Sequence, residues 1–268
     1  MIGQKRIPSR LGGVEVVVQR LSEEMVKLGF DVTAFNRNDS SNKKLKNFHG
    51  IKIITVPTIR FKGLSAVTSS FFATIFALLS NYDVIHFHAE GPAAMCWLPK
   101  LCGKKTIVTI HGLDFKRDKW GKFARQYIKF GERIAVKYAD QIIVLNKELQ
   151  NYFWETYHRK TILIPNGIDK PINQKIDIIK KFGLSKDSYF LFLGRIVPEK
   201  GIEELIKAFK KVKTKKKLII AGGSSDTDDF TAKMIRLASS DSRIKFIGYV
   251  KSKTLQELYV SVKFSYVA

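Results

Sequence analysis

The 268-residue sequence is short of cysteine, of acid and of long apolar runs. Its two cysteines, Cys96 and Cys102, lie in an apolar segment without metal-ligand spacing, which argues for a reducing, cytoplasmic setting with both thiols as inert core residues. The opening carries no charged-then-apolar leader with a small-residue cleavage site, in keeping with that setting. Residues Leu64 to Ser80 form an apolar stretch of seventeen residues, short of the ~20 that crossing a bilayer requires. It reads as a buried or interface-lying helix. Acidic residues number 24 against 47 basic ones, a formal charge of +23. The excess is spread: residues 170–268 hold 21 Lys+Arg against 10 Asp+Glu, and residues 1–169 hold 26 against 14. Such a field favours anionic partners, whether a nucleotide, a nucleic acid or the negative inner leaflet of a membrane, although lysines decorating solvated faces give the same composition. No basic recognition helix or aromatic stacking motif accompanies the charge, so nucleic acid is not an expected partner.

What is present is a hydrophobic content of 45% over a length that exceeds one average domain, which points to two α/β domains. "GGVEVVVQRLSEEMVKLG" places Val14, Val17, Val18, Leu21, Met25 and Leu28 at helical spacing and closes on Gly29. Short β-branched runs follow: "DVTAFN", "GIKIITVP", "DVIHFHA", "KTIVTIHG", "DQIIVLN" and "TILIPNG". Helical segments such as Lys119 to Tyr138 separate them, the pattern of a doubly wound parallel sheet. A polar stretch at 169–187 reads as a linker, after which "YFLFLG", "KLIIAGG", "RIKFIGYV" and "FSYVA" alternate with helices near Ile202, Phe230 and Leu255. The expected division is therefore an N-terminal Rossmann-like domain at 1–168, the linker at 169–187 and a second Rossmann-like domain at 188–268. The strand expected before the first glycine-rich loop is reduced to Met1 and Ile2, and the second domain has about four of the five to six strands usual in such a sheet.

The sharpest local signal is "FLGRIVPEKGIEELIKAF". A strand ends at Gly194, a loop carries Arg195 and Lys200, and Pro198 and Gly201 lead into a helix with Ile202, Leu205, Ile206 and Phe209 on one face. Free backbone N–H groups and the helix dipole favour an anion there; Arg195 can grip two phosphate oxygens and Lys200 adds a point charge. The plainer reading is a basic loop with Lys200 solvated and Arg195 paired to Glu199 or Glu203. His86 and His88 alternate on one strand face without a third metal ligand at suitable spacing, and read as structural. Asp226 and Asp228 have Asp-x-Asp spacing but precede a helix whose N-terminus negative charge stabilises anyway.

Taken together, "GRIVPEKGIEELIKAF", "IPNGID", "IAGG", "FIGYV" and "GGVE", in this order-preserving spread over nearly the whole chain, resemble the retaining, GT-B-fold glycosyltransferases of family four. The resemblance implies transfer of a hexose from a nucleotide-diphosphate sugar, with retention, to a glycan acceptor that is commonly lipid-linked, in surface polysaccharide biosynthesis. It makes Arg195 and Lys200 the clamps on the donor diphosphate, with no metal or other cofactor. It assigns His111 of "TIHGLD" to the donor sugar near the reacting carbon, where a neutral imidazole accepts a sugar hydroxyl. Gly12 and Gly13 become the phosphate-approach loop, and Gly222 and Gly248 the main chain that nears base and ribose. Asp114 and Glu90 are weaker acceptor-side candidates. An inner-leaflet membrane surface is the implied meeting place with the acceptor, making the protein cytoplasmic and peripheral.

The sequence departs from the family where a segment with two glutamates eight positions apart, touching donor sugar and ribose, is expected beyond "SVKFSYVA". The expectation on that ground is an incomplete second domain and a chain of little or no activity alone, or a remnant that binds nucleotides without turning them over.

Overall fold

The computed structural model describes residues 1–9, 12–38, 45–61, 63–117, 120–167, 177–223, 228–250, 252–262 and 264–267. The chain divides into two compact units, Met1–Gly167 and Ile168–Ala268. Each is built on parallel strands with its own core, as the two Rossmann-like domains of the sequence reading require.

In the first unit, helix α1 (Gly13–Lys27) is followed by β1 (Thr33–Arg37), β2 (Asn47–Phe48), β3 (Ile51–Val56) and helix α2 (Leu64–Leu78). Then come β4 (Val84–His88), the short helices α3 (Glu90–Ala93) and α4 (Trp97–Leu101), and β5 (Lys105–Ile110). Helix α5 (Lys122–Tyr138), β6 (Gln141–Val144), α6 (Lys147–Tyr157) and β7 (Ile162–Leu163) complete it. Gly29 has φ +89, the left-handed geometry that stops α1 where the sequence indicated. The strands order as β2-β3-β1 and β4-β5-β6-β7, all parallel except the β2–β3 pair.

The opening residues join these two sets. The Phe35 N–H donates to the Met1 carbonyl at 3.1 Å, the Ile2 N–H to His86 at 2.9 Å and the His88 N–H to Ile2 at 2.8 Å. The brief strand expected at Met1 and Ile2 therefore runs between β1 and β4, bridged in parallel to Phe87. Ile2 is buried in one core cluster with Phe35, Phe87, Val108, Ile142 and Phe153. Successive parallel strands are laid outward in opposite directions from this segment, β1 then β3 on one side and β4 then β5 on the other, and such a reversal of strand order is where open α/β sheets form their crevice beyond the carboxyl ends of the strands.

The second unit has β8 (Tyr189–Leu193), α7 (Ile202–Lys211), β9 (Lys217–Ala221), α8 (Asp228–Ala238), β10 (Ile244–Gly248), α9 (Ser252–Val260) and β11 (Phe264–Val267). Its sheet is parallel in the order β10-β9-β8-β11, so the reversal lies between β8 and β11. Helix α7 buries Ile202, Ile206 and Phe209 against Phe192, Leu218 and Ile220, the face its apolar spacing dictates. Of the segment read as linker, residues 177–187 are described. Ile179 and Leu184 pack with Tyr189, Leu191 and Leu258 in the second unit's core.

The two thiols expected in the core differ in burial. Cys96 is buried, its thiol pushed up to about 12 by burial, but Cys102 is exposed at the end of α4 and is no core residue. Among the described residues no helix is long and apolar enough to cross a membrane.

Candidate functional site

Chemistry-bearing residues gather at the carboxyl edge of each sheet. In the second unit, β8 ends at Leu193, and the Gly194 N–H donates to Ala221 at 3.1 Å while the Gly222 N–H donates to Gly248 at 2.8 Å. These bonds align the three strand ends side by side. A side chain at Gly222 would be driven into the Gly194 carbonyl, which explains why only glycine fits where these two backbones meet. From this edge the chain passes through Arg195 to a 3₁₀ turn, Pro198–Lys200, and Gly201 at φ +63 swings it into α7. Arg195 and Lys200 thus both stand between the end of β8 and the start of α7, half-buried. Glu203, one of the two carboxylates suspected of neutralising Arg195, is held by Lys207 at 2.8 Å and Lys233 at 3.0 Å. Gly248 adopts φ +68 at the end of β10, beside this edge. Of the Asp-x-Asp pair, Asp226 lies outside the described residues and Asp228 opens α8.

In the first unit the glycine-rich turn places Gly12 at the N-cap of α1 and Gly13 in its first turn. A Cβ on Gly12 would strike the Glu15 carboxylate, which folds back to accept the Lys5 N–H at 3.3 Å, whereas one on Gly13 would meet open space. Across the edge, His86 and His88 of β4 and His111 just past β5 form one cluster. Parallel register sets His88 opposite Thr109, so His111, two residues on, comes down beside His88. The rings of His86 and His88 stack with centroids 4.2 Å apart. His86 Nε2 lies 2.7 Å from the Thr109 hydroxyl, and His88 Nδ1 lies 3.2 Å from His111 Nε2. His88 is fully buried. Burial lowers the pKa of all three, His86 to about 3, so the cluster is neutral at physiological pH. For His111 the carboxylates of Asp114 and Glu15 work against that shift.

Glu90 is fully buried immediately after β4. Its Oε1 accepts the Asp114 backbone N–H at 2.9 Å, tying α3 to the loop that carries His111. Burial, then the neighbouring Asp114, pushes its carboxyl up to about 8. Ala89, the residue that turns the chain from β4 into Glu90, sits at φ 75, ψ 161, a conformation that favours glycine. Behind Glu90, Gly131 lets α5 approach so closely that any side chain would strike the Glu90 carbonyl. Next to it the buried Glu132 accepts hydrogen bonds from the Tyr152 and Tyr157 hydroxyls. Asp114 pairs with Arg117 at 3.0 Å. Among the described residues no group of three His, Cys, Asp or Glu side chains is placed to hold a metal ion.

The local signals, Arg195, Lys200 and the glycines, were visible in the sequence. The contact of His88 with His111 was not: it joins residues 23 apart through strand register. The His-x-His alternation on β4 was the available hint.

Two Rossmann-like α/β units, one with a basic strand-to-helix loop at its carboxyl edge, define the architecture shared by two-domain sugar-nucleotide proteins of the GT-B fold. The chain belongs to glycosyltransferase family 4: that family's model matches residues 11–170, and the model of the group 1 glycosyl transferases matches residues 174–265. It is 29% identical over 185 residues to the uncharacterized glycosyltransferase YqgM of Bacillus subtilis (strain 168), covering 66% of this chain and 50% of that protein. It is 25% identical over 182 residues to the O-antigen biosynthesis glycosyltransferase WclY of Escherichia coli, covering 64% and 51%. The chain thus spans about half the length of these relatives. Its fold is similar to that of Anabaena Alr3699/HepE, solved in complex with UDP and glucose, with a TM-score of 0.76 at 16% identity over 96% of this chain and 70% of that one.

Proposed function

We propose that the protein is a hexosyltransferase that takes its sugar from a nucleotide-diphosphate donor and passes it, with retention, to a glycan acceptor in surface polysaccharide biosynthesis. The observation that carries this reading is the placement of Arg195 and Lys200 beyond the carboxyl end of β8, beside the point where the sheet order reverses. An anion bound there faces a guanidinium, an ammonium and the start of a helix. As the bond from the anomeric carbon to the diphosphate breaks, its electron pair stays on the diphosphate, and the two cations stabilise the charge that develops. In this reading side chains supply that stabilisation without a metal ion. Gly222 and Gly248 keep the neighbouring edge bare for base and ribose, Gly12 and Gly13 do the same for phosphate or acceptor, and His111 meets the donor sugar. Asp114 stands on the acceptor side of the His111 loop, and the buried Glu90 reaches it from α3 through the Asp114 N–H. The complex of HepE with UDP and glucose and the O-antigen role of WclY support the substrate class.

The acceptor is proposed to be lipid-linked and met at an anionic leaflet. Helix α2 and the residues flanking it expose Ile59, Phe61, Phe71, Phe76 and Leu79, with Arg60 among them, the combination of apolar and cationic groups that interfacial binding uses.

Calorimetry with UDP, GDP and ADP tests the central claim. One of the three should bind, and Arg195→Ala should weaken that binding about ten-fold to hundred-fold. Equal binding by the wild type and the Arg195→Ala, Lys200→Ala double variant would sink the reading.

A further inference from the structure

The donor-facing role of His111 leaves open which of its ring nitrogens holds the proton, and the buried neighbour decides it. His88 Nδ1 and His111 Nε2 face each other at 3.2 Å, and both rings are neutral, so a single proton lies between them. The other nitrogen of His88, Nε2, is sealed from solvent and meets no hydrogen-bonding group among the described residues. A buried N–H without an acceptor is among the costliest arrangements in a folded protein, costlier than a bare lone pair. The proton of His88 therefore belongs on Nδ1, donating to His111 Nε2. A neutral His111 whose Nε2 accepts must carry its own proton on Nδ1. The carboxylates of Asp114 and Glu15, which act electrostatically on His111, favour a positive N–H edge on that ring.

We infer that His88 is a positioning residue that locks His111 in its Nδ1–H tautomer, so that His111 offers the substrate a hydrogen-bond donor. This rests on the reading of His111 as a substrate contact and changes its chemistry. A donor at this place binds a sugar or phosphate oxygen as an acceptor, where the sequence-based expectation had the imidazole accept from a hydroxyl. His86, stacked on His88 and bonded to Thr109, holds the buried ring in place from its other face.

Long-range proton–nitrogen correlation spectra of the whole chain at pH 7.5 read the tautomer directly. The sequence has only five histidines, so single substitutions assign them. His111 should show a protonated Nδ1 and an unprotonated Nε2. The reverse pattern overturns the inference whether or not the protein is active. His88→Asn, whose amide N–H stands near the lost Nδ1–H, should preserve the pattern, and His88→Leu should mix the two tautomers. In transfer assays, His88→Leu should then lose about ten-fold or more in kcat with the donor KM within about two-fold, and His88→Asn should recover most of it. Equal losses in both variants would also overturn the lock. An Nδ1–H signal in a protein that neither binds nor turns over any nucleotide-sugar would leave the lock standing and remove the transferase reading.

Discussion

Glu90 and His86 titrate in opposite senses. Glu90 has a folded pKa of about 8 against an ordinary 4.5, so the folded state binds the extra proton between those values. Its contribution to stability is full below about pH 4.5 and is lost as pH rises through about 8. His86, lowered to about 3 from 6.5, contributes stability that is full above pH 6.5 and is lost as pH falls toward 3. Glu90→Gln keeps Oε1 to accept the Asp114 N–H and removes the titration. The stability advantage of Glu90→Gln over wild type, measured by urea denaturation, should therefore grow steadily from pH 5 to pH 8, with a slope of up to about 1.4 kcal/mol per pH unit. A pH-independent offset would show that Glu90 stays ionised. At the neighbouring position, Ala89→Gly should stabilise the protein by about 1 kcal/mol, because glycine takes φ 75, ψ 161 without a clashing Cβ; urea denaturation measures it.

Among the elements, α9 has a task its sequence does not advertise. Its Glu257 is buried, and Oε2 accepts the N–H groups of Ile178 at 2.7 Å and Ile179 at 3.2 Å, clasping the 3₁₀ turn Ile179–Phe182 to the second core. The Tyr189 hydroxyl donates to Leu258 at 2.7 Å from the other side. Glu257→Ala orphans both amides and should cost about 2 to 4 kcal/mol, with hydrogen exchange at Ile178 and Ile179 speeding up before that of the β8 amides. This clasp shows where sequence reading stops. The β-branched runs that became β1, β3 to β6 and β8 to β10 were legible because period and composition are local properties. "TILIPNG" shrank to Ile162–Leu163 because Pro165 cannot donate to a ladder. Residues 177–184 read as linker because their polarity is local, while the burial of Ile179 depends on a helix some eighty residues downstream. The site divides along the same line: Arg195 and Lys200 share one loop, whereas the histidine cluster exists only once β4 and β5 pair.

For the whole molecule, the charge of +23 is spread over both units while the exposed aromatic side chains of α2 are confined to one helix. Electrostatic attraction and apolar insertion can therefore be separated by experiment. Sedimentation with phosphatidylglycerol vesicles should fall steeply between 50 and 300 mM salt, over which the Debye length shortens by a factor of about 2.5. Replacing Phe71 and Phe76 by serine should weaken binding at every salt concentration without altering that slope. Binding only to vesicles at low salt, unaffected by the serine pair, would assign the attraction to charge alone.

The opening strand between β1 and β4 bears on the order in which the first unit assembles. The β1–β3 and β4–β5 pairs join stretches of chain that are near neighbours in sequence, and each can form by closing a short loop. Their union waits for Ile2 to find Phe87, a contact of far greater sequence separation and slower closure. On contact separation alone, the crevice beyond the strand ends, with its histidines, is expected to complete late in folding, when these few residues join the two sets of strands.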